Sequence, residues 1–416
     1  MRDQATGNVL KNNKVLGLNR KVICIFLTAL TVNLTAPESH PMKPTTRLSY
    51  FLLALAAAAT AKAAPFMAVG DNAELFVTVS TLIQADDNIY LNASGAKSDT
   101  IYSFTPGLDL VFGKGSVTTG DVYLRDEIRR FGSHSKQDVD LSDVGAKADY
   151  SNGVTKASFN AAYTELAQNQ VGATLSSDIA RRNLTNLMAK TEFGISEKTV
   201  LSVGLTYNRT DYIPTFFTDS DITTIPVDIY YQANPKLDWS FGYSYRTSNL
   251  SASGIDSKDN FFNLGARGEF TPMLTGQIRV GYAKRSFDVL SSESLLGVDG
   301  SLDYQLSQKT TIHFLAGNDF GSAGSGDSTK NFTLGLNASS QLTSQWYVNA
   351  GISRRSIQYT NRTDDYLEGT VGATYVYNNY FNVTASYTYR NNSSNHASLG
   401  TEFTNNVFAL GASVRY

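Results

Sequence analysis

The sequence is poor in charge, in cysteine and in long apolar runs. Charged residues make up 17% of the 416 residues, below the roughly 25% of a typical globular chain. The single cysteine, Cys24, excludes an intramolecular disulfide framework. After residue 63 no run of about 18 apolar residues occurs, which argues against a helical membrane anchor. The formal net charge of −2 gives no reason to expect nucleic acid as a partner.

Aromatic and small residues are abundant instead. The chain has 23 Tyr, 22 Phe and 32 Gly, but only 2 Trp. Together with many Ser, Thr and Asn residues, this composition favours β-strands that are apolar on one face and polar on the other.

An export signal is predicted at residues 42–63. Lys43 and Arg47 form a basic n-region, residues 48–60 form an apolar h-region, and residues 61–63 (Ala-Lys-Ala) form an A-x-A cleavage site. Met42 is then the initiator, and the residues before it are an overextended start. The alternative, left open, is that they belong to an unusually long leader.

Past this signal, apolar and polar residues alternate with a period of two. In LDWSFGYSYR, the apolar face carries Trp239, Phe241 and Tyr243, whereas Asp238 and Arg246 fall on the other face. The same alternation recurs in NFTLGLNAS and YFNVTASYTYR. Alternation of this quality predicts strands with one apolar face.

Connections between these strands alternate between short turns and longer polar loops. From about Glu74 the pattern gives about eighteen strands, joined by eight short turns and nine long loops. An even number of strands with this arrangement predicts a transmembrane antiparallel up-and-down β-barrel, with short periplasmic turns and longer extracellular loops. The soluble alternative is a repeat β-protein, such as a propeller. Residues 64–73 are expected to form a short periplasmic segment, and residues 74–416 the barrel.

If the Tyr- and Phe-rich face meets lipid, the charged face lines the lumen, where facing charges could filter solutes. For any single residue the alternative is a solvated or paired wall residue without a role in selectivity. The predicted lumen residues are Asp238, Arg246, Arg267, Glu269, Arg279, Arg285, Asp299, Asp303, Arg355, Glu368, Arg390 and Arg415.

Aromatic residues outside the lumen have two predicted roles. Trp239 and Trp346 each follow a short turn and are assigned to a periplasmic aromatic girdle. The chain ends in NVFALGASVRY, an alternating strand with an aromatic last residue. That pattern is similar to the signal that the barrel-assembly machinery reads, and the predicted signal residues are Phe408, Leu410, Val414 and Tyr416.

Residues 85–113, ADDNIYLNASGAKSDTIYSFTPGLDLVFG, carry a more specific pattern. An Asp-Asp-Asn triplet, apolar and aromatic residues, a polar loop, Ser-Asp-Thr and a TPGLDL strand resemble the start of the putative β-barrel porin 2 family. The resemblance implies an outer-membrane barrel and a link to barrels associated with exopolysaccharide export. It names no catalytic residues. The aspartates of the triplet could chelate calcium, but capping of the turn is the preferred interpretation.

The predicted function is passive diffusion of small hydrophilic solutes through a polar lumen in the outer membrane of a Gram-negative-type bacterium. The alternative is a barrel for exopolysaccharide export, and an outer-membrane enzyme or surface-interaction barrel is less favoured. No catalytic residue, metal site or cofactor is predicted, because no nucleophile elbow or paired-histidine motif occurs. The expected partners are outer-membrane lipid and lipopolysaccharide, the barrel-assembly machinery, and the solute or polysaccharide.

Overall fold

The computed structural model describes residues 65–416, apart from residues 174, 176, 252–253, 289 and 397–401. The predicted signal peptide and the overextended start lie outside the described residues. The described part of the chain is almost entirely β-structure, and its helical content is a single 3₁₀ turn, Ser135–Gln137. Within it, no helix has the length and apolar character needed to cross a membrane.

Nineteen strands account for the fold. In chain order they are β1 (Met67–Val69), β2 (Ala73–Asp86), β3 (Asp99–Phe112), β4 (Thr118–Phe131), β5 (Val139–Ser151), β6 (Thr155–Ala167), β7 (Arg181–Ser196), β8 (Thr199–Tyr212), β9 (Ser220–Asn234), β10 (Leu237–Leu250), β11 (Ser257–Thr271), β12 (Leu274–Phe287), β13 (Glu293–Ser307), β14 (Thr310–Ser322), β15 (Ser328–Gln341), β16 (Trp346–Gln358), β17 (Thr363–Val376), β18 (Phe381–Ser394) and β19 (Phe403–Arg415).

Strands β2 to β19 form a closed antiparallel barrel of 18 strands, as the sequence predicts. Each strand pairs with its neighbours in the chain, and β19 returns to pair with β2. This last pairing, here called the seam, runs from Val407 opposite Asp86 to Arg415 opposite Thr78. Closure is required in a bilayer because the backbone N–H and C=O groups of an open edge would face hydrocarbon unpaired.

The short strand β1 lies in the segment 64–73, where the sequence did not predict a strand. It pairs with the start of β2, with Val69 opposite Ala73. At the end of β19, Tyr416 exchanges two backbone hydrogen bonds with Val77, with N–O distances of 2.7 and 2.9 Å. β1 therefore pairs with the part of β2 that extends beyond the end of β19.

The predicted alternation of turns and loops is present. The eight turns, of two to five residues, lie at one end of the barrel, the turn end, and the nine loops, of four to thirteen residues, lie at the other, the loop end. The turns are residues 113–117, 152–154, 197–198, 235–236, 272–273, 308–309, 342–345 and 377–380. The loops are residues 87–98, 132–138, 168–180, 213–219, 251–256, 288–292, 323–327, 359–362 and 395–402.

The apolar face of the strands is the outer surface of the barrel. Phe241, Leu264 and Val280 form one row across β10, β11 and β12, and their exposed fractions are 55%, 62% and 42%. Large side chains with this exposure are favourable only where hydrocarbon replaces water. The polar residues between them therefore face the interior, which is the lumen.

Candidate functional site

Loop 168–180, here called the crossing loop, lies across the loop end of the lumen. It joins β6 to β7, yet its tip reaches the connection after β14, on the far side of the barrel. A Cβ atom added to Gly172 would lie 3.6 Å from the Cβ of Ala323 and 3.0 Å from the hydroxyl of Tyr359. The next residue, Ala173, is fully buried. The mouth of the barrel is therefore narrowed by its own chain.

Asn169 holds the base of the crossing loop. This side chain is 3% exposed, and its Nδ2 donates to the backbone oxygen of Tyr90 at 3.0 Å. The same amide group donates to the carbonyls of Leu175 and Asp178, and its Oδ1 accepts from the backbone N–H of Ala180 at 2.8 Å. One buried amide thus fixes both ends of the loop and ties it to loop 87–98.

Arg182 and Gln170 form a second anchor. The Arg182 guanidinium donates to the carbonyl of Gln168 at 2.9 Å and to Oε1 of Gln170 at 3.0 Å. Gln170 in turn donates to the Tyr212 hydroxyl at 3.2 Å. These charge-assisted and neutral hydrogen bonds restrain the part of the loop that enters the lumen.

An apolar cluster supports the crossing loop on the inner wall. It consists of Ile89, Tyr90, Ile101, Phe131, Val139, Leu141, Ala167 and Ile179. The sequence analysis did not predict this apolar patch on the inner wall. Phe131 lies on the same face of β4 as Arg129 and Glu127, which face the lumen. A large apolar residue at the end of this polar row is the sequence feature that could have revealed the cluster.

Loop 132–138 closes over this cluster. The backbone N–H groups of Ser133 and His134 donate to the Asp99 carboxylate, and the His134 ring contacts it at 2.8 Å. His134 also meets the Tyr90 ring edge-on, with centroids 5.8 Å apart. Burial raises the pKa of the Tyr90 phenol in loop 87–98.

Four of the predicted lumen residues are linked through a charged network on the wall from β7 to β13. Arg267 donates to Glu192 at 2.7 Å and to Asp238 at 3.1 Å, and it stacks on Tyr230 at 3.3 Å. Three strands separate β7 from β11, so the Glu192–Arg267 pair shows how strongly this wall curves. The sequence analysis did not predict Glu192 and Tyr230. The position of a residue in the period-two alternation gives the face of the strand on which it lies, but not its neighbours across the lumen.

Arg279 extends the same network. Its guanidinium lies 3.6 Å from Asp228 and 3.7 Å from Asp299. Both distances exceed those of a good hydrogen bond, so the charge of Arg279 is shared between two carboxylates without tight bonding.

A second network lies near the loop end. Arg285 is 1% exposed and forms a two-pronged contact with Asp259, at 2.7 and 2.8 Å. Arg246 contacts Asp259 and Asp319, each at 2.7 Å. The prediction included Arg246 and Arg285 and missed both aspartates.

The third group of lumen charges lies on β16 to β18. Glu368 accepts from the Tyr366 hydroxyl at 2.6 Å and from Arg390 at 3.1 Å. Arg355 stacks over the Tyr366 ring at 5.4 Å. Burial is the main cause that raises the pKa of the nearby Tyr359 phenol in loop 359–362, and the positive charges of Arg362 and Arg355 oppose it.

The remaining predicted lumen residues are not part of these groups. Glu269 pairs with Lys236 at 2.7 Å beside the turn end, and Asp303 contacts His313 at 2.8 Å. Arg415 lies over the ring of Phe76, 3.7 Å from Asp109.

The aromatic and C-terminal residues lie where the alternation puts them. Trp239 and Trp346 are exposed near the turn end. Of the predicted assembly signal, Phe408, Leu410 and Tyr416 are exposed, and Val414 is partly exposed. These positions agree with a girdle and an assembly signal, and both roles remain predictions.

The Asp-Asp-Asn triplet fastens the seam at the loop end. The Asn88 backbone N–H donates to Asp86 Oδ1 at 2.8 Å, which is the expected turn cap. Asp86 and Asp87 also accept hydrogen bonds from Asn405 and Asn406 on β19. Within the described residues, no group of three or more His, Cys, Asp or Glu side chains is placed to hold a metal ion.

A sequence model of the putative beta-barrel porin 2 family matches residues 255–416. The predicted family resemblance is confirmed. The matched residues run from β11 to β19 and do not include residues 85–113, on which the prediction was based. The match thus lies in the C-terminal strands, where the sequence offered architecture but no motif.

Two solved structures are similar in fold. OccAB4 of Acinetobacter baumannii is 11% identical with a TM-score of 0.46, over 83% of this chain and 99% of that chain. The outer membrane protein OpdK of Pseudomonas aeruginosa is 10% identical with a TM-score of 0.46, over 84% of this chain and 99% of that one. No curated protein matches the sequence.

Proposed function

We propose that this protein is a porin-like channel that passes small hydrophilic solutes down a gradient across the outer membrane. The crossing loop is the observation that carries the proposal. A closed barrel with a polar inner wall provides an aqueous path, and the loop narrows that path at one end. The channel would therefore select solutes by size and charge.

Export of a polysaccharide fits this geometry less well. A polymer would need a wide path along the whole lumen, but the crossing loop is held by a buried Asn169 and by Arg182. Passage would require these hydrogen bonds to break together, whereas small solutes can pass beside the loop. The proposal thus places exopolysaccharide export second and assigns no enzymatic role.

The membrane partners follow from the ends of the barrel. In outer-membrane barrels the short turns face the periplasm and the long loops face outward. Several basic residues on the outer surface near the loop end are paired with an acid: Arg130 with Asp140, Arg209 with Asp211, Lys258 with Asp288 and Arg354 with Asp365. These side chains would meet lipopolysaccharide head groups, while the predicted signal peptide and C-terminal strand would direct export and assembly.

Single-channel conductance in a planar bilayer tests the proposal, together with uptake of sugars of increasing size by proteoliposomes. We expect a stable conductance and a sharp size limit. Deleting residues 171–175 at the tip of the crossing loop should raise the conductance and the size limit for sugars. Deleting residues 290–292 of another loop is the matched control and should change neither. Folded protein without conductance or sugar uptake would contradict the proposal.

A further inference from the structure

One corner of the lumen brings three guanidinium groups together. This basic corner consists of Arg355 on β16, Arg362 in loop 359–362 and Arg390 on β18, with two acids, Asp364 and Glu368, on β17. It adjoins the tip of the crossing loop, because a Cβ atom at Gly172 would lie 3.0 Å from the Tyr359 hydroxyl. A solute that passes the loop on this side meets the corner.

Both acids of the basic corner already have cationic partners. Arg362 contacts Asp364 at 3.2 Å and stacks on the Tyr359 ring at 3.7 Å. Arg390 contacts Glu368 at 3.1 Å, and the Tyr366 hydroxyl donates to the same carboxylate. Each acid therefore has one cationic partner, and among the described residues neither carboxylate lies within 4.0 Å of the nitrogen atoms of a third guanidinium.

Arg355 is that third guanidinium. Among the described residues, no carboxylate oxygen lies within 4.0 Å of its nitrogen atoms. Its Nε atom is buried and has no hydrogen-bond partner there. By contrast Arg246, Arg267 and Arg285 each contact at least one carboxylate. A buried donor without a partner costs free energy, and an acceptor oxygen that reached this guanidinium would reduce that cost.

The ring of Tyr366 prepares Arg355 for such an anion. The guanidinium carbon lies 5.4 Å from the centre of that ring, within the range of a cation–π contact. The fork of N–H groups on a guanidinium matches two oxygen atoms of a carboxylate or a phosphate.

We propose that Arg355 is a binding site for the carboxylate or phosphate group of a small anionic solute, beside the crossing loop. The site rests on the proposed channel function, because it lies on the path that the solute would take. It makes the basic corner the point at which anions are drawn through the narrowed mouth.

The first test measures permeation. The reversal potential of single channels in a potassium chloride gradient gives the anion-to-cation permeability ratio. We expect Arg355→Gln to lower that ratio and Arg355→Lys to restore most of it. Arg354→Gln is the matched control, because Arg354 is the adjacent residue, faces outward and pairs with Asp365. A ratio that is equal in wild type and Arg355→Gln would overturn the proposal.

The second test measures binding without permeation. Calorimetry on the full-length protein in detergent, with sodium acetate and with sodium phosphate, shows which oxyanion is bound. Arg355→Gln should weaken binding about ten-fold or more, the loss expected for one charge-assisted hydrogen bond. Arg354→Gln should bind like wild type. No binding by wild type, or equal binding by Arg355→Gln, would overturn the site. Binding by a protein that conducts nothing would support the site and contradict the channel function.

Discussion

Asn406 donates two hydrogen bonds to the Asp87 carboxylate, one from its backbone N–H at 2.7 Å and one from its side-chain amide at 2.6 Å. Asp87 directly follows β2 and Asn406 lies on β19, so this contact helps to join the first and last strands of the barrel. The Asp-Asp-Asn triplet is thereby part of the barrel closure.

Replacing Asp87 with Ala should destabilise the barrel. The substitution removes the acceptor of both hydrogen bonds, which are exposed, so each contributes about 0.5–1.5 kcal/mol. Urea unfolding in lipid vesicles measures the loss. Because Asn406→Ala removes part of the same interaction, the double variant should lose less than the sum of the two single variants. Asp71→Ala, in the exposed turn before β2, is the control.

Replacing Asn169 with Ala should loosen the crossing loop. The variant loses the side chain that ties the loop to Tyr90 and to its own far end, so the narrowed mouth should widen. We expect a higher single-channel conductance with more frequent fluctuations. Asn249→Ala, at an exposed position near the end of β10, should behave like wild type. An unchanged conductance in Asn169→Ala would show that the loop does not limit ion flow.

Replacing Arg279 with Ser should make the channel more selective for cations. The change leaves the carboxylates of Asp228 and Asp299 facing the lumen without their shared counter-charge. Reversal potentials in a salt gradient should shift accordingly. Lys284→Ser on the same strand is the control, because Lys284 has the parity of the outward-facing Val280 and Tyr282. Equal shifts in the two variants would contradict a lumen role for Arg279.

Deleting Tyr416 should lower the amount of protein assembled in the outer membrane. The deletion removes the terminal aromatic ring and two backbone hydrogen bonds to Val77. Tyr416→Phe keeps the aromatic ring and the backbone hydrogen bonds, and this variant should assemble normally. Quantitative immunoblots of membrane fractions make the comparison, and conductance per assembled channel should stay the same. Wild-type levels of the deletion variant would show that the assembly signal lies elsewhere.

Period-two alternation was enough to predict the barrel, because each strand must place apolar residues toward lipid and polar residues toward water. Trp239 and Asp238, adjacent in sequence, already separate the two environments. Asn169 could not be found in this way, because its role depends on where a thirteen-residue loop folds. The Glu192–Arg267 pair was also out of reach, since the curvature of a closed sheet brings strands together that no local pattern relates.

The seam has a consequence for the order of folding. Its paired residues lie 321 to 337 positions apart, so forming it early would cost the loop-closure entropy of nearly the whole barrel. Hairpins between neighbouring strands carry a much smaller cost and should form first. The crossing loop lies between two such strands and packs on residues of β3 to β6. It can therefore reach the inside of a still-open sheet, and the last strand then encloses it. If the crossing loop has not turned inward before β19 pairs with β2, the closed barrel would leave the loop outside the lumen.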